Sequence, residues 1–393
     1  MRQIFSSVAA LVLVLGPTAV APQIARAAAP VIVVGTLSAA CPDAQFSTIQ
    51  AAVNAASPGT VIRICRGTYP EQVSIKKPLS LHGESGVLID PSNVTANATG
   101  SASGQPIAAI ILVQDTTDVY VQNVIVDGTN NGITECGPDL IGILYQNASG
   151  EVKRVAVRNM KLSTNLNGCQ SGSAILIQSG GGGTSLVEVD GSSIHDYQKN
   201  GITANEVGTQ ATIADNVVTG VGPTTGAAQN GIQIGFGAKG SILENTVANH
   251  IWSPCVSLEL CAFKADNILV FQSDRVSVER NVAGVSQTGI AIVANHANVT
   301  GNHVFGTLTL DGIKLAGNDN EATDNSITHS DRAGVFVEGN NNDVQTNRIN
   351  EAAFGVLKAA GSTGNIIRNN DMFNAIVGVQ DPAGRGSQDS PYR

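Results

Sequence analysis

The sequence predicts an all-β chain: a parallel β-solenoid closed at one end by a short α-helix. Three observations carry this prediction. Charged residues make up only 13% of the 393 residues and aromatics 4%, while glycine occurs 43 times. This composition suits short stacked strands and tight turns better than amphipathic helices. Short Gly-aliphatic segments recur along the chain: SAILIQ (173–178), NGITAN (200–205), NGIQIG (230–235), TGIAIV (288–293), DGIKLA (311–316), AGVFVE (333–338) and FGVLKA (354–359). Gly289, Gly312, Gly334 and Gly355 stand 23, 22 and 21 residues apart, and Asn281, Asn302, Asn325 and Asn347 stand 21, 23 and 22 apart. A period near 22 with several short strands per repeat is how a β-solenoid appears in sequence.

In chain order, the first element is an export leader, residues 1–27. Arg2 is followed by the apolar run VAALVLVLG (8–16), which is too short to span a bilayer, and by the small-residue site Ala25-Arg26-Ala27. The mature chain is therefore expected to be secreted or periplasmic, without stable membrane insertion. Residues 28–380 then form the solenoid domain, whose N-terminal cap covers about 41–90. In FSTIQAAVNAASPG (46–59), Ser47 and Gln50 have capping-box spacing, Ile49, Ala52, Val53 and Ala56 share a face, and Pro58-Gly59 ends the helix. One short helix makes no core alone, so it is read as a lid on the solenoid. Short strands follow through TVIRICRGTYPEQVSIKKPLSLHG (60–83), and then the coils begin.

Within each coil, alternate residues such as Ile232/Ile234 and Ile290/Ile292 face the core, while Gln233 and Ala291 face outward. Asn-Gly at 200–201 and 230–231 suggests hairpin turns. The repeat argues instead that each opens one strand, paired with its equivalents ~4.8 Å above and below. The asparagine column is expected to bond along the axis. The coils after residue 281 are regular. Earlier ones carry insertions at one phase: 127–141, 163–173, 220–229 and 248–266. Insertions at one phase line one edge, commonly the binding face. The tail DPAGRGSQDSPYR (381–393) reads as disordered.

Six cysteines suit an oxidising compartment, and 15 full pairings are possible. Cys136 and Cys169 fall at the same phase of successive coils and should stack. Cys255 and Cys261 can close a loop within one insertion, which leaves Cys41 and Cys65 to pair across the cap. The rival reading, metal binding, meets spacings that match no zinc pattern. There is no calcium-binding nonapeptide repeat, and no metal or cofactor is expected. A net charge of −9 argues against nucleic acid as a partner.

With its Gly-aliphatic repeats, its capping helix and GTYPE (67–71), the chain resembles the right-handed parallel β-helix, or pectin-lyase-like, superfamily over about residues 41–380. KNGITAN…AQNGIQIGFGA resembles secreted bacterial β-helix repeat proteins in particular. The resemblance implies a right-handed coil and polysaccharide as the partner class, but one fold hosts many chemistries. The motifs of polygalacturonase-type hydrolases (Asn-Thr-Asp, paired Asp, Gly-His-Gly, Arg-Ile-Lys) are missing. Of the pectinesterase motifs, only Gln114-Asp115-Thr116 occurs. The Asp-Pro-His-Asp motif of the epimerases is also missing.

The densest titratable run is HDYQK, which supplies His195, Asp196, Tyr197 and Lys199. A lyase needs a base beside a uronate and cations on its carboxylate, and a hydrolase needs two carboxyl groups. His195, Asp196, Lys199 and His250 are therefore the candidate catalytic groups. Tyr197, Gln229, Gln233, Trp252, Glu259, Lys264 and Lys314 are the candidate saccharide contacts, with Asp266 beside them on the longest insertion and Phe336 and Glu338 nearby. Each has a plainer reading: a polar turn for HDYQK, loop packing for Trp252, and ordinary surface for the rest. The two functional expectations are a polysaccharide lyase or hydrolase, and a non-catalytic surface, adhesion or scaffold protein. Convergence decides between them. An enzyme requires His195, Lys199, His250 and Asp196 or Glu259 to meet in one groove.

Overall fold

The computed structural model describes residues 29–255, 261 and 264–380. The expected leader, most of the loop around Glu259 and the tail fall outside these residues.

The chain winds as a right-handed parallel β-helix whose coils each contribute strands to three stacks. Stack A holds Ser173–Gln178, Asn200–Asn205, Asn230–Gly235, Asp266–Phe271, Thr288–Val293 and Ile313–Leu315. Stack B includes Thr209–Ala214, Lys239–Leu243 and Ser277–Glu279; stack C includes Ser193–Tyr197, Val217–Thr224, Thr246–Trp252 and Val282–Ser286. Long strands that turn corners, such as Pro106–Gln122 and Asp139–Lys153, join the stacks into one continuous 34-stranded sheet. Equivalent residues pair in parallel register, as in Ile202↔Ile232↔Ile268↔Ile290↔Ile313. Among the described residues no helix is long and apolar enough to cross a membrane.

The core is the column of inward-facing aliphatics, fully buried from Ile62 to Val356. The asparagine column forms a ladder. Asn281 Nδ2 donates to Asn302 Oδ1 at 3.0 Å, Asn302 to Asn325 at 3.0 Å and Asn325 to Asn347 at 2.9 Å. These amides face inward at the corner between stacks B and C, where they satisfy backbone groups that the bend leaves unpaired. Three disulfides join Cys41 to Cys65, Cys136 to Cys169 and Cys255 to Cys261, with Cα separations of 6.1, 5.3 and 4.4 Å.

The lid is α1, Ile49–Ala55. Its cap differs from the capping box that the sequence suggests. Thr48 is the N-cap, and its hydroxyl accepts from Ala51 N at 3.3 Å. The Glu71 carboxylate, brought in by GTYPE, accepts from Ile49 N at 2.7 Å and Gln50 N at 2.9 Å. The carboxylate satisfies two orphan N–H groups at the positive end of the helix and the Thr48 hydroxyl a third, which leaves Gln50 free of the role a capping box would give it. Gln50 instead stitches the helix to Ser74.

Candidate functional site: the outer face of stack A

The insertions enter between stacks C and A, and glutamines fasten their bases. Gln229 accepts from Val221 N at 3.1 Å and donates to the Tyr197 carbonyl. Gln287 accepts from Trp252 N and Ala265 N at 3.1 and 2.9 Å, and Gln198 donates to the carbonyls of Leu166 and Cys169. Gln229 is fully buried and holds a loop. Trp252 is partly buried, and its indole N–H donates to the Gly226 carbonyl at 3.0 Å.

The four candidate catalytic residues do not meet. His195 and Asp196 lie partly exposed on stack C, bonded to one another at 2.8 Å, with Lys161 Nζ on the other Asp196 oxygen at 2.8 Å. His250 and Tyr197 lie inside the solenoid and are fully buried. Burial holds the Tyr197 hydroxyl well above its ordinary pKa, so it stays protonated and donates to His250 Nε2. His250 Nδ1–H then donates to Asn267 Oδ1 at 2.6 Å, and Asn267 Nδ2 donates to the Gly284 carbonyl at 3.0 Å. Burial pushes His250 down to about 4, which keeps it neutral. The glycine column makes room for this relay: a Cβ on Gly231 would stand 2.8 Å from His250 Cε1. In the next coil Asn267 occupies the glycine position and turns its amide inward.

Lys199 takes part in a different assembly. One column of stack A runs Asn200, Asn230, Asp266 and Thr288 by direct register, with Asp311 in the following coil. Asp266 is only 6% exposed, and its Oδ1 has no hydrogen-bond partner. Burial raises its pKa to about 6, against the lowering effects of the Thr288 hydroxyl and of Lys264, Lys314 and Lys199. Burial lowers Lys199, whose Nζ donates to the Ala228 carbonyl at 2.8 Å. Lys264 is lowered first by burial and then by the positive charge of Lys314 and, more weakly, Arg332. Lys314 pairs with Glu338 at 2.7 Å, and Arg332 grips Asp311 through both guanidinium arms while lying 4.0 Å over the Phe336 ring. Gln233 donates to Asn205 at 3.1 Å and accepts from Asn230 at 3.2 Å on the same face.

Of the residues that the sequence singled out, Lys199, Gln233, Lys264, Asp266 and Lys314 fall on this face, and Asp311 and Arg332 join them. A further signal at Asp266 is a gap. Between Gly231 and Gly289 the glycine column skips 58 residues (289 − 231), and the strand in the gap, Asp266–Phe271, carries Asn267 in place of glycine.

Fold and site together define a right-handed parallel β-helix with a charged cluster on the outer face of one stack. A family model described as periplasmic copper-binding protein (NosD) matches residues 255–388, about a third of the chain. No curated protein sequence matches. Among solved structures, the native GH136 lacto-N-biosidase of Eubacterium ramulus is similar with a TM-score of 0.61 at 10% identity, over 88% of this chain and 68% of that one. The A-module of the Azotobacter vinelandii mannuronan C-5 epimerase AlgE4 is similar with a TM-score of 0.51 at 13% identity, over 87% and 95%. At these identities the likeness is one of fold. Copper would need imidazole, thiolate or thioether donors brought together. All six cysteines are paired, and among the described residues no three His, Cys, Asp or Glu side chains cluster. Among the described residues no imidazole, thiolate or carboxylate set that fits copper is brought together, and no copper-dependent step is derived.

Proposed function

We propose that the protein binds an anionic polysaccharide along the outer face of stack A. The observation that carries this reading is the gathering of Lys199, Lys264 and Lys314 about the buried Asp266, whose Oδ1 has no partner, with Arg332 on the neighbouring Asp311. Lys314 and Arg332 lower Lys264, and four cations (Lys199, Lys264, Lys314, Arg332) meet three carboxylates (Asp266, Asp311, Glu338), so the local charge is positive on a chain whose net charge is −9 and favours a carboxylate-bearing ligand. The similar folds whose names specify sugar substrates support the ligand class. The scatter of His195, Asp196 and His250 supports binding over the chemistry first assigned to them. The secreted or periplasmic setting fits the disulfides.

The test is affinity for linear polyuronates against neutral glucans, at several salt concentrations. Polyuronates should bind and neutral chains should not, with affinity falling as salt rises. Lys264→Met with Lys314→Met should weaken binding at least tenfold, while Asp266→Asn, which removes a negative charge, should preserve or tighten it. Equal affinity for neutral glucans would defeat the proposal.

One observation favours a catalytic second reading: Asp266 and Lys199 are displaced toward neutrality in opposite directions on the same face. A lyase would use Asp266 as the acid and Lys199 as the base. Unsaturated-uronate absorbance or new reducing ends would then appear, and Lys199→Gln would lower the rate by about 10²–10⁴. If neither product forms from a polyuronate that binds, the catalytic reading fails and the binding reading stands.

A further inference from the structure

The outer face of stack A changes character along the axis. In the first coils its outward residues are aliphatic: Ile107, Ala109, Leu112, Ile141 and Leu144 are buried together, with Leu176 against them. Outward residues of a solvated sheet are normally polar. Here a strap formed by residues 94–105 covers them.

The strap is anchored coil by coil. Ala98–Thr99 pairs antiparallel with Pro106–Ile107, the single antiparallel strand pairing among the described residues. Ala98 packs into the aliphatic cluster, and the Thr99 carbonyl accepts from Gln146 Nε2 at 2.8 Å. Ser101 then lies against Gly180, where a Cβ would stand 2.6 Å from the serine Cβ. The strap's farthest anchor is Ser101 Oγ on the carboxylate of Glu206, at 2.6 Å to each oxygen. Glu206 directly follows the strand Asn200–Asn205, so the cover reaches that coil. From there the mid-face column runs Thr203, Gln233, Leu269, Ala291, Lys314 and Phe336 by register. Those five rises give about 24 Å of polar and small aliphatic floor that ends in Lys314 and Phe336, with Lys264, Asp266, Asp311 and Arg332 along its edge.

We infer that the strap is an end wall: the outer face of stack A is closed on the N-terminal side, and it accepts the terminus of an acidic saccharide rather than an internal stretch. This inference rests on the stack A binding reading. A chain crossing the wall would have to displace the strap from five aliphatic side chains and from the Ser101–Glu206 latch. A terminus seated against the latch reaches the Asp266–Lys264–Lys314 cluster without that loss.

The probe is a set of polygalacturonate and polymannuronate fractions of graded length, titrated into the full chain. Protein bound per saccharide chain should stay constant, at one per terminus, as length rises tenfold. Growth of that ratio in proportion to length would overturn the end wall and leave the binding reading intact. Absence of binding to every polyuronate would overturn both. A Ser101→Ala/Glu206→Ala double variant keeps the aliphatic cluster that anchors the strap, and its fold is checked by circular dichroism. Unlatched, it should bind internal segments, with the ratio now rising with length. If it behaves as the wild-type chain does, the strap is not what stops the saccharide.

Discussion

At Asp266 and His250 the chain keeps two titratable groups in forms that water would not favour, and their pH dependences run in opposite directions. The folded Asp266 titrates at about 6, above its ordinary 3.8, so the folded state holds its proton more tightly than the unfolded state. Its contribution to stability is therefore complete at low pH and is lost as pH rises from 3.8 to about 6. The gap corresponds to ~3 kcal/mol. His250 titrates at about 4 in the folded chain, below 6.5, so the unfolded state takes up its proton first and stability is lost as pH falls from 6.5 toward 4. Denaturant unfolding across pH separates the two. The wild-type chain should lose stability relative to Asp266→Asn as pH rises through 4–6. It should lose stability relative to His250→Phe as pH falls through the same range. At pH 7 Asp266→Asn should be more stable than wild type by up to about 3 kcal/mol, because the neutral amide removes a buried charge. A residue whose removal stabilises the fold while altering ligand binding is one retained for function. An Asp266→Asn chain that is less stable than wild type at pH 7 would show that the lysines make the carboxylate a structural counter-ion instead.

Single elements show what could be read from sequence and what could not. Column spacing revealed the asparagine ladder because each member repeats the same task. Asn302 Nδ2 donates to the Val278 carbonyl at 2.8 Å and to Asn325 at 3.0 Å, while its Oδ1 accepts from the backbone N and side chain of Asn281 at 2.9 and 3.0 Å. Asn302→Ala orphans buried partners on both sides and should cost about 3 kcal/mol or more, read as a lowered denaturant midpoint with an unchanged m-value. Loss of less than 1 kcal/mol would mean that water enters and replaces the amide. Other elements lay beyond periodicity. The strand Asp266–Phe271 dropped out of the aligned copies because Asn267 replaces glycine to reach His250, so the coil that departs from the pattern is the one bearing Asp266. Gln229 looked like a saccharide contact because a polar residue beside an outward strand gives no sign of direction. Its insertion had unpaired backbone groups to satisfy, and the side chain turned to them. The strap was hidden for a related reason: outward aliphatics at 107–112 read as core until the covering segment is seen. Glu71 joins Thr48 in capping α1 through a contact 22 residues away in sequence, which no local capping rule detects.

Across the whole molecule, each coil is held by its neighbours above and below, so stability is closer to a sum along the axis than to a single cooperative block. The two sides of the stack differ. On the N-terminal side, α1 buries Ile49, Ala52 and Val53 against the coils, and the Cys41–Cys65 disulfide ties the segment down. In the last described coil the inward positions Ile367, Met372 and Val379 are only half-buried, and Ile376 is 86% exposed. The charged face lies between, on coils that are paired on both sides and carry the regular part of the asparagine ladder. Opening should therefore begin at the Ile366–Arg368 side and progress inward, leaving the coils under that face closed until global unfolding. Native-state hydrogen exchange tests this gradient. Amides of Ile366–Arg368 and Asp371–Phe373 should exchange orders of magnitude faster than those of Asn230–Gly235 and Thr288–Val293, with protection rising coil by coil between them. Uniform protection along the axis would mean that the coils unfold together and that the one-dimensional account is wrong. A gradient would place the proposed binding face on the stiffest part of the scaffold, where Lys199, Asp266, Lys264 and Lys314 would be held in register without a ligand ordering them, which limits the entropy lost on binding.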